Sequence, residues 1–477
     1  MSITFGTDGW RAVISDEFTF TNLRQVARAI AQYLHESRPT VSAPVVVGFD
    51  TRFLSDRYAL EASRCLAEEG LNVCLSKSDC PTPALSYAIR RMGGLGGIMI
   101  TASHNPPRYN GLKFKGDYGG PAMPEETRRI EQILEQNLKR GSASMLAHKP
   151  LAELGHEYPG ITRFDPMKAY LEHVRTLVDM DAIGAAHLRV AVDPMYGAGR
   201  GYTAALLTEV GCQVLELHGD MNPGFAGIHP EPIERNLGDL VTAMRSGRYD
   251  VGLAMDGDAD RIGAVDATGS FVDPHRIFSL VLQHLVEARD GRGAIVKTVS
   301  TTQLLNKLCR HYGLPLHETP VGFNHICAWM LREDVLMGGE ESGGMTIKDH
   351  IPDGDGILMG LLLLELVASQ RRPLHQSIHD LMQDFGEFYY GRNDVRTQAF
   401  DKRLLTQRLT DEAPEEILTH RVTEVNSSDG VKYVLDDDSW LLIRPSGTEP
   451  VLRIYAEASS PERVQRMLAV GARLARV

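Results

Sequence analysis

Strand-like and helix-like segments alternate along most of this 477-residue chain. That alternation restricts it to α/β units built on largely parallel sheets. Val45-Val46-Val47-Gly48-Phe49-Asp50 reads as a buried strand, residues 56–69 carry helical spacing, and residues 71–75 read as the next strand. A charged helix is expected over residues 125–139. Residues 140–162 are polar and weakly patterned, which places the first domain boundary there. A second cycle opens at Leu188-Arg189-Val190-Ala191-Val192-Asp193 and continues through a turn with Gly197, Gly199 and Gly201, a helix, a strand over 213–217 and a strand over 251–255. A third begins near Ile262 and includes Ala294-Ile295-Val296-Lys297 and a buried helix around Leu361. Its apolar run, residues 357–364, is closed by Glu365, far short of the ~20 residues a membrane span needs. Past Arg371-Arg372-Pro373 the texture changes. Residues 388–395, 431–435 and 440–443 read as antiparallel strands and a last helix starts near Pro461, which predicts a small α+β domain. The expected domains are 1–155, 156–261, 262–375 and 376–477, with related βαβ units recurring at domain scale.

A hydrophobic share of 43% supplies several cores, and a formal net charge of -12 argues against a nucleic-acid or anionic-membrane partner. A local cluster of Arg and Lys can still admit a small anion. The six cysteines, at 65, 74, 80, 212, 309 and 327, form no Cys-x-x-Cys pair. They read as reduced, buried thiols, and no basic-then-apolar segment opens the chain, so a cytoplasmic location is expected.

Four polar loops carry the chemistry. Ile100-Thr101-Ala102-Ser103-His104-Asn105-Pro106 follows a Gly-rich strand and presents a hydroxyl with an imidazole beside it; a serine becomes a nucleophile only when a base, cation or metal activates it. Asp256-Gly257-Asp258-Ala259-Asp260-Arg261 sets three carboxylates on alternate residues, a hard-oxygen set suited to Mg²⁺. An EF-hand fails on Arg261 and Ala267 at its sixth and twelfth positions, and a haloacid-dehalogenase-type Asp-x-Asp loop wants Thr or Val where Asp260 stands. In Gly338-Gly339-Glu340-Glu341-Ser342-Gly343-Gly344, Glu340 and Ser342 would face the same way and could grip adjacent sugar hydroxyls; the rival is a flexible turn. Arg444-Pro445-Ser446-Gly447-Thr448-Glu449-Pro450, with Arg453 beyond, offers a guanidinium fork, hydroxyls and backbone N–H groups to a phosphate. Arg11, ending a Gly-rich turn, and Lys113, shortly after the serine loop, complete the cationic inventory.

In this order the four loops closely resemble those of the α-D-phosphohexomutase family, the phosphoglucomutases and phosphomannomutases, over nearly the whole chain. The resemblance implies a four-domain, heart-shaped fold: three related α/β domains plus a small C-terminal α+β domain, one loop from each meeting in a central cleft. It implies that Ser103 is a phosphoserine and that Asp256, Asp258, Asp260 and a phosphate oxygen on Ser103 hold Mg²⁺. Arg11 and Arg261 would add positive charge, and His104 and Lys113 would handle protons, with Lys297 a further candidate. Glu340 and Ser342 would hold the sugar, and Arg444, Ser446, Gly447, Thr448 and Arg453 the other phosphate. A hexose 1,6-bisphosphate is then both intermediate and activator, and a hexose phosphate the substrate.

The Glu-Glu-Ser-Gly-Gly loop looks like that of glucose-preferring members, with mannose phosphate a second substrate, whereas phosphoglucosamine mutases usually carry Gln-Ser-Gly-His there. One departure stands out. Val321-Gly322-Phe323 is followed by Asn324 where glucose-preferring members usually have Lys, and nearby Lys348 is the candidate replacement. The alternatives are a phosphoglucosamine mutase, a haloacid-dehalogenase-like phosphatase using an aspartyl phosphate, and a sugar-phosphate-binding protein with little catalysis.

Overall fold

The computed structural model describes residues 3–6, 8–39, 42–141, 150–397, 401–445 and 451–476. Four sheets succeed one another along the chain. The first runs Trp10–Val13, Tyr109–Lys115, Gly96–Ile100, Val45–Phe49, Val73–Ser76, Ile161–Phe164. From Gly96–Ile100 to Ile161–Phe164 its strands are parallel; the first two are antiparallel additions. The second runs Phe271–Val272, Ile262–Asp266, Val251–Met255, Arg189–Asp193, Gln213–Glu216, and the third Leu316–Thr319, Ala294–Thr298, Val335–Gly339, Met345–Ile347. Both repeat the plan of parallel strands ending in an antiparallel hairpin. Strands such as Val45–Phe49 and Val251–Met255 are buried along their whole length. Continuous apolar runs of this kind are what a parallel strand covered on both faces requires.

The fourth sheet is antiparallel throughout, in the order Tyr389–Arg396, Val451–Ala458, Trp440–Pro445, Val431–Leu435, His420–Asn426, Glu416–Ile417. The helix Pro461–Ala475 packs its apolar face on it through Val464, Met467 and Leu468. The chain is thus four domains, three α/β and one α+β.

All three expected boundaries are corrected, and the one at 375 falls inside the helix Leu374–Phe385. A cut at residue 155 leaves out Ile161–Phe164, which pairs parallel with Val73–Ser76 and closes the first sheet. A cut at 261 severs the hairpin in which Ile262–Asp266 returns along Val251–Met255. Backbone pairing therefore keeps residues to 164 with the first sheet and to 272 with the second.

The second and third domains share one core. The helix Gly356–Gln370 is buried on all sides, and Leu361 belongs to the same apolar cluster as Leu253, Leu206 and Phe278. Asp355 caps it by accepting from Leu358 N at 2.9 Å. Glu365, which interrupts the apolar run, is satisfied by His284 Nε2, Arg289 Nε and Asp179 N, each at 2.8 Å. Among the described residues no helix is long and apolar enough to cross a membrane.

Candidate active site

Three of the four chemical loops lie wholly within the described residues, and each is a β-hairpin connection. Residues 101–108 join Gly96–Ile100 to Tyr109–Lys115, residues 256–261 join Val251–Met255 to Ile262–Asp266, and residues 340–344 join Val335–Gly339 to Met345–Ile347. The three tips meet. Ser103 Oγ donates to Asp256 Oδ2 at 2.7 Å. An isolated backbone bridge links Arg261 to Gly344, and Ile262 N donates to Gly343 O at 3.2 Å. Contact this close requires a residue without a side chain. A Cβ on Gly257 would lie 2.5 Å from Ser103 O.

The carboxylates converge as the alternate spacing predicts. Asp256, Asp258 and Asp260 offer oxygens within 4.8 Å of one another. Asp258 Oδ1 and Asp260 Oδ1 are buried without a hydrogen-bond partner, an arrangement that costs free energy until something positive fills it. Burial and the charges of Asp260 and Asp258 push the Asp256 carboxyl well above its usual range. Burial also opposes ionisation of Asp258, but the Lys113 ammonium and the Thr82 hydroxyl prevail and hold that carboxyl low. Lys113 Nζ lies 2.6 Å from Asp8 Oδ2, 2.9 Å from Asp258 Oδ2 and 2.7 Å from Asp260 Oδ2. A buried, oxygen-only donor set with two carboxylate oxygens free of hydrogen bonds fits a small hard cation such as Mg²⁺.

Around the hydroxyl, His104 Nδ1 stands 3.4 Å from Ser103 Oγ. Burial, with the charges of Arg261, Arg11 and Lys113, depresses the His104 imidazole well below its usual range. It is therefore neutral at pH 7 and able to accept a proton. Burial disfavours the charge on Lys113, yet Asp258, Asp260 and Asp8 outweigh it, so this amine stays an ammonium. Arg11 Nη1 donates to Asn105 Oδ1 at 2.9 Å. On the third tip, Glu340 Oε1 accepts from Gly322 N at 2.9 Å and Glu340 Oε2 from Ser342 Oγ at 3.5 Å. Burial and the neighbouring Glu341 raise the Glu340 carboxyl to about 7, against the pull of Arg261. Arg444 Nε donates to Asp429 Oδ2 at 2.7 Å, and Arg453 Nε is buried without a partner.

Family models cover all four domains: the phosphoglucomutase/phosphomannomutase alpha/beta/alpha domain I over residues 2–141, domain II over 168–269, domain III over 273–385 and the C-terminal domain over 404–473. The phosphoglucomutase/phosphomannomutase of Thermococcus kodakarensis is 30% identical over 99% of this chain and 98% of its own length. This chain belongs to the α-D-phosphohexomutase family. A protein of Methanothermobacter thermautotrophicus, provisionally named a phosphoglucosamine mutase, is 32% identical over 97% of this chain and 95% of its own. A crystal structure from Thermus thermophilus, provisionally named a phosphomannomutase, superposes with a TM-score of 0.85 at 35% identity, covering 100% of both chains. The protein is accordingly a mutase, an intramolecular phosphotransferase, of a family that is generally magnesium-dependent.

In this phosphohexomutase the structure gathers Ser103, His104, Arg11, Lys113, Asp256, Asp258, Asp260, Arg261, Glu340 and Ser342 at the three hairpin tips. Ser446, Gly447 and Thr448 lie outside the described residues.

Two expectations are corrected. Lys297 is fully buried but turns away from the hydroxyl, donating to Thr302 O at 2.9 Å and pairing with Glu318 Oε2 at 3.3 Å, which it shares with Lys432 of the C-terminal domain. Its strand alternation points it into the seam with that domain, where burial and Lys432 lower it to about 8. Lys348 pairs with Asp334 at 2.6 Å on an exposed surface, 41% accessible. It sits beside Leu336, at the end of Val335–Gly339 opposite the tip, and so does not replace the cation absent at Asn324.

Sequence reasoning passed over Asp8, Thr82 and Arg52. Thr82 Oγ1 donates to Asp258 Oδ2 at 2.6 Å, across a domain seam no local pattern reveals. Arg52 was the more legible: Asp50-Thr51-Arg52 directly follows a buried strand at the edge where ligand loops gather.

Proposed function

We propose that this chain interconverts hexose 1-phosphate and hexose 6-phosphate through a phosphoserine at Ser103, with glucose phosphates preferred and mannose phosphates also accepted. The observation that carries the mechanism is the Ser103 hydroxyl, 2.7 Å from Asp256 and 3.4 Å from His104 Nδ1, beside two buried carboxylate oxygens that lack a hydrogen-bond partner. The phosphoryl group leaves Ser103 Oγ for a sugar hydroxyl, whose proton His104 is placed to take; the resulting 1,6-bisphosphate turns over, and its other phosphate returns to Ser103. Arg11, Arg261 and the Lys113 ammonium offset the charge of the group in flight. Mg²⁺ held by Asp256, Asp258 and Asp260 supplies Lewis-acid neutralisation of the phosphate when bound. Glu340 and Ser342 grip the sugar, while Arg444, Arg453 and the loop through Ser446, Gly447 and Thr448 hold the distal phosphate in both poses. A hexose 1,6-bisphosphate serves as activator by phosphorylating any enzyme that has lost its phosphate.

The Glu340-Glu341-Ser342-Gly343-Gly344 sequence supports glucose. A second reading, a phosphoglucosamine mutase, is favoured by Asn324. Its Oδ1 is buried without a hydrogen-bond partner, and an acceptor in place of a cation suits an amino substituent. The provisional name of the Methanothermobacter relative points the same way. The experiment is a mutase assay with Mg²⁺ and a trace of hexose 1,6-bisphosphate, comparing glucose, mannose and glucosamine 1-phosphates. A glucose preference supports the first reading and a glucosamine preference the second. Silence on all three, with no phosphate on Ser103, overturns the mechanism.

A further inference from the structure

Fully buried arginines are uncommon, and Arg52 is 2% exposed. Its guanidinium lies 5.0 Å from the centroid of the Phe225 ring. Nη2 donates to Ser103 O at 2.5 Å and Asn105 O at 2.6 Å, and Nη1 to Pro106 O at 2.9 Å and Tyr109 O at 3.0 Å. One planar fork thus holds four carbonyls of the loop that carries the serine. The buried charge is matched by Asp50, whose Oδ2 lies 3.1 Å from Arg52 Nε. Asp50 in turn accepts from Ser55 Oγ at 2.7 Å and Thr101 Oγ1 at 2.6 Å, and Thr101 Oγ1 accepts from Ser103 N at 2.9 Å. The serine is therefore gripped on both sides, its N–H through Thr101 and Asp50 and its C=O through Arg52.

Such a frame answers a specific need. Ser103 has a φ of +50°, a conformation that persists only where its surroundings over-determine it. An ordinary β-hairpin tip is mobile, and its carbonyls would point freely, including toward an incoming phosphate. Four of them are instead drawn back onto a cation whose charge Asp50 already balances. The serine oxygen must also meet the sugar in two half-reactions with the intermediate reversed, so its position has to be the same in both. From this geometry we infer that Arg52, with Asp50 and Thr101, is a positioning set for the nucleophile: it fixes Ser103 Oγ for phosphoryl transfer without touching the substrate. The inference rests on the phosphoserine reading above. A displacement of about 1 Å at a reacting atom costs on the order of 10²-fold in rate, which sets the effect expected.

The test compares the wild-type chain with Arg52→Lys, Thr101→Val and Thr101→Ser. Lysine keeps the charge but loses the fork, valine keeps the shape of threonine but neither hydrogen bond, and serine restores the hydroxyl. Each is assayed for kcat and KM with hexose 1-phosphate, for Mg²⁺ dependence, and for single-turnover phosphate transfer from ³²P-labelled enzyme to hexose monophosphate. Expected are losses of about 10²-fold in kcat and transfer rate for Arg52→Lys and Thr101→Val, KM and Mg²⁺ dependence within about threefold of wild type, and recovery in Thr101→Ser. A role confined to folding would lower the amount of active enzyme without altering the single-turnover rate of the labelled fraction. Should Arg52→Lys fail to fold, Thr101→Val against Thr101→Ser decides. Wild-type transfer rates in folded Thr101→Val, or a loss carried by KM alone, overturn the positioning role while leaving the phosphoserine reading intact. Wild-type enzyme that never labels at Ser103 overturns that reading first.

Discussion

Ser103 occupies the left-handed region of backbone space, which costs an ordinary L-residue roughly 1–2 kcal/mol, and its hydroxyl faces a carboxylate that burial and two like charges drive toward protonation. Both costs fall on the groups that would do the chemistry, as is usual where function opposes stability. Ser103→Ala should therefore leave the fold intact while removing the phosphoenzyme and at least about 10³-fold of kcat, because the transferred group has no other acceptor here. Mass spectrometry of the intact chain and a mutase assay on the same sample check this; near-native turnover would sink the assignment. The carboxylates make a second prediction with a readout other than activity. If Asp256, Asp258 and Asp260 hold Mg²⁺, adding it to chelator-stripped protein should raise the free energy of unfolding by about 2.7 kcal/mol at a hundredfold excess over Kd, and the unfolding midpoint with it. Asp260→Asn should lose most of that response and Ser103→Ala little of it. Equal responses from the two variants would place the cation elsewhere.

Each chemical loop within the described residues is the tip of a hairpin appended to a parallel sheet, so short connections fix both its ends. Tips this close leave no room for added atoms. Gly257→Ala places a Cβ 2.5 Å from Ser103 O, and the serine and metal loops should part by a fraction of an ångström. A fall in kcat of about 10²-fold is expected, with the melting profile little changed; wild-type kcat would show the two tips to be independent. These tips were the most legible part of the sequence, since polar turns with chemical side chains interrupt strand patterns at residues 101–108, 256–261 and 340–344. What happens on the strands beside them was not legible. Lys297 carries a catalytic residue type at the correct end of its strand, yet alternation aims it at Glu318 and Lys432. Lys348 lies close to the sugar loop in sequence, but the hairpin returns it to the far end of the sheet. Arg52 was visible as a residue, whereas its carbonyl partners are 51 to 57 positions away.

Across the molecule, the segment 350–356 ties three domains together, which no domain-by-domain reading of the sequence predicts. Asp353 Oδ2 accepts from Ser86 Oγ at 2.7 Å and pairs with Lys115 at 2.7 Å, both from the first domain. Gly356 N donates at 3.0 Å to Ala259 O, within the metal loop. Asp355 accepts from Tyr170 OH at 2.7 Å and bonds His350 Nε2 at 2.8 Å, and His350 Nδ1 meets His173 Nε2 at 3.0 Å. The same long-range pairing explains the misplaced boundaries, because Ile161–Phe164 finds its partner across a polar stretch that locally resembles a linker. The histidine pair makes the junction sensitive to acid. Burial, with the adjacent His350, lowers His173 to about 4, although Asp355 works in the opposite direction. A histidine whose pKa falls on folding binds fewer protons in the folded chain than in the unfolded one. Its contribution to stability is therefore complete above about 6.5 and lost as pH falls toward 4. His173 is about half-buried, so solvent screening reduces the effect to ~1–2 kcal/mol. Urea unfolding of wild type and His173→Gln at pH 7, 5.5 and 4.5 should show the wild-type midpoint falling more steeply with acid. The gap between the two curves should change by most of that amount between pH 7 and pH 4.5 and level off only below about 4, where the wild-type imidazole is charged in both states. Parallel curves across that window would mean that His173 titrates as it does in the unfolded chain, and that acid sensitivity arises elsewhere in the three-domain junction.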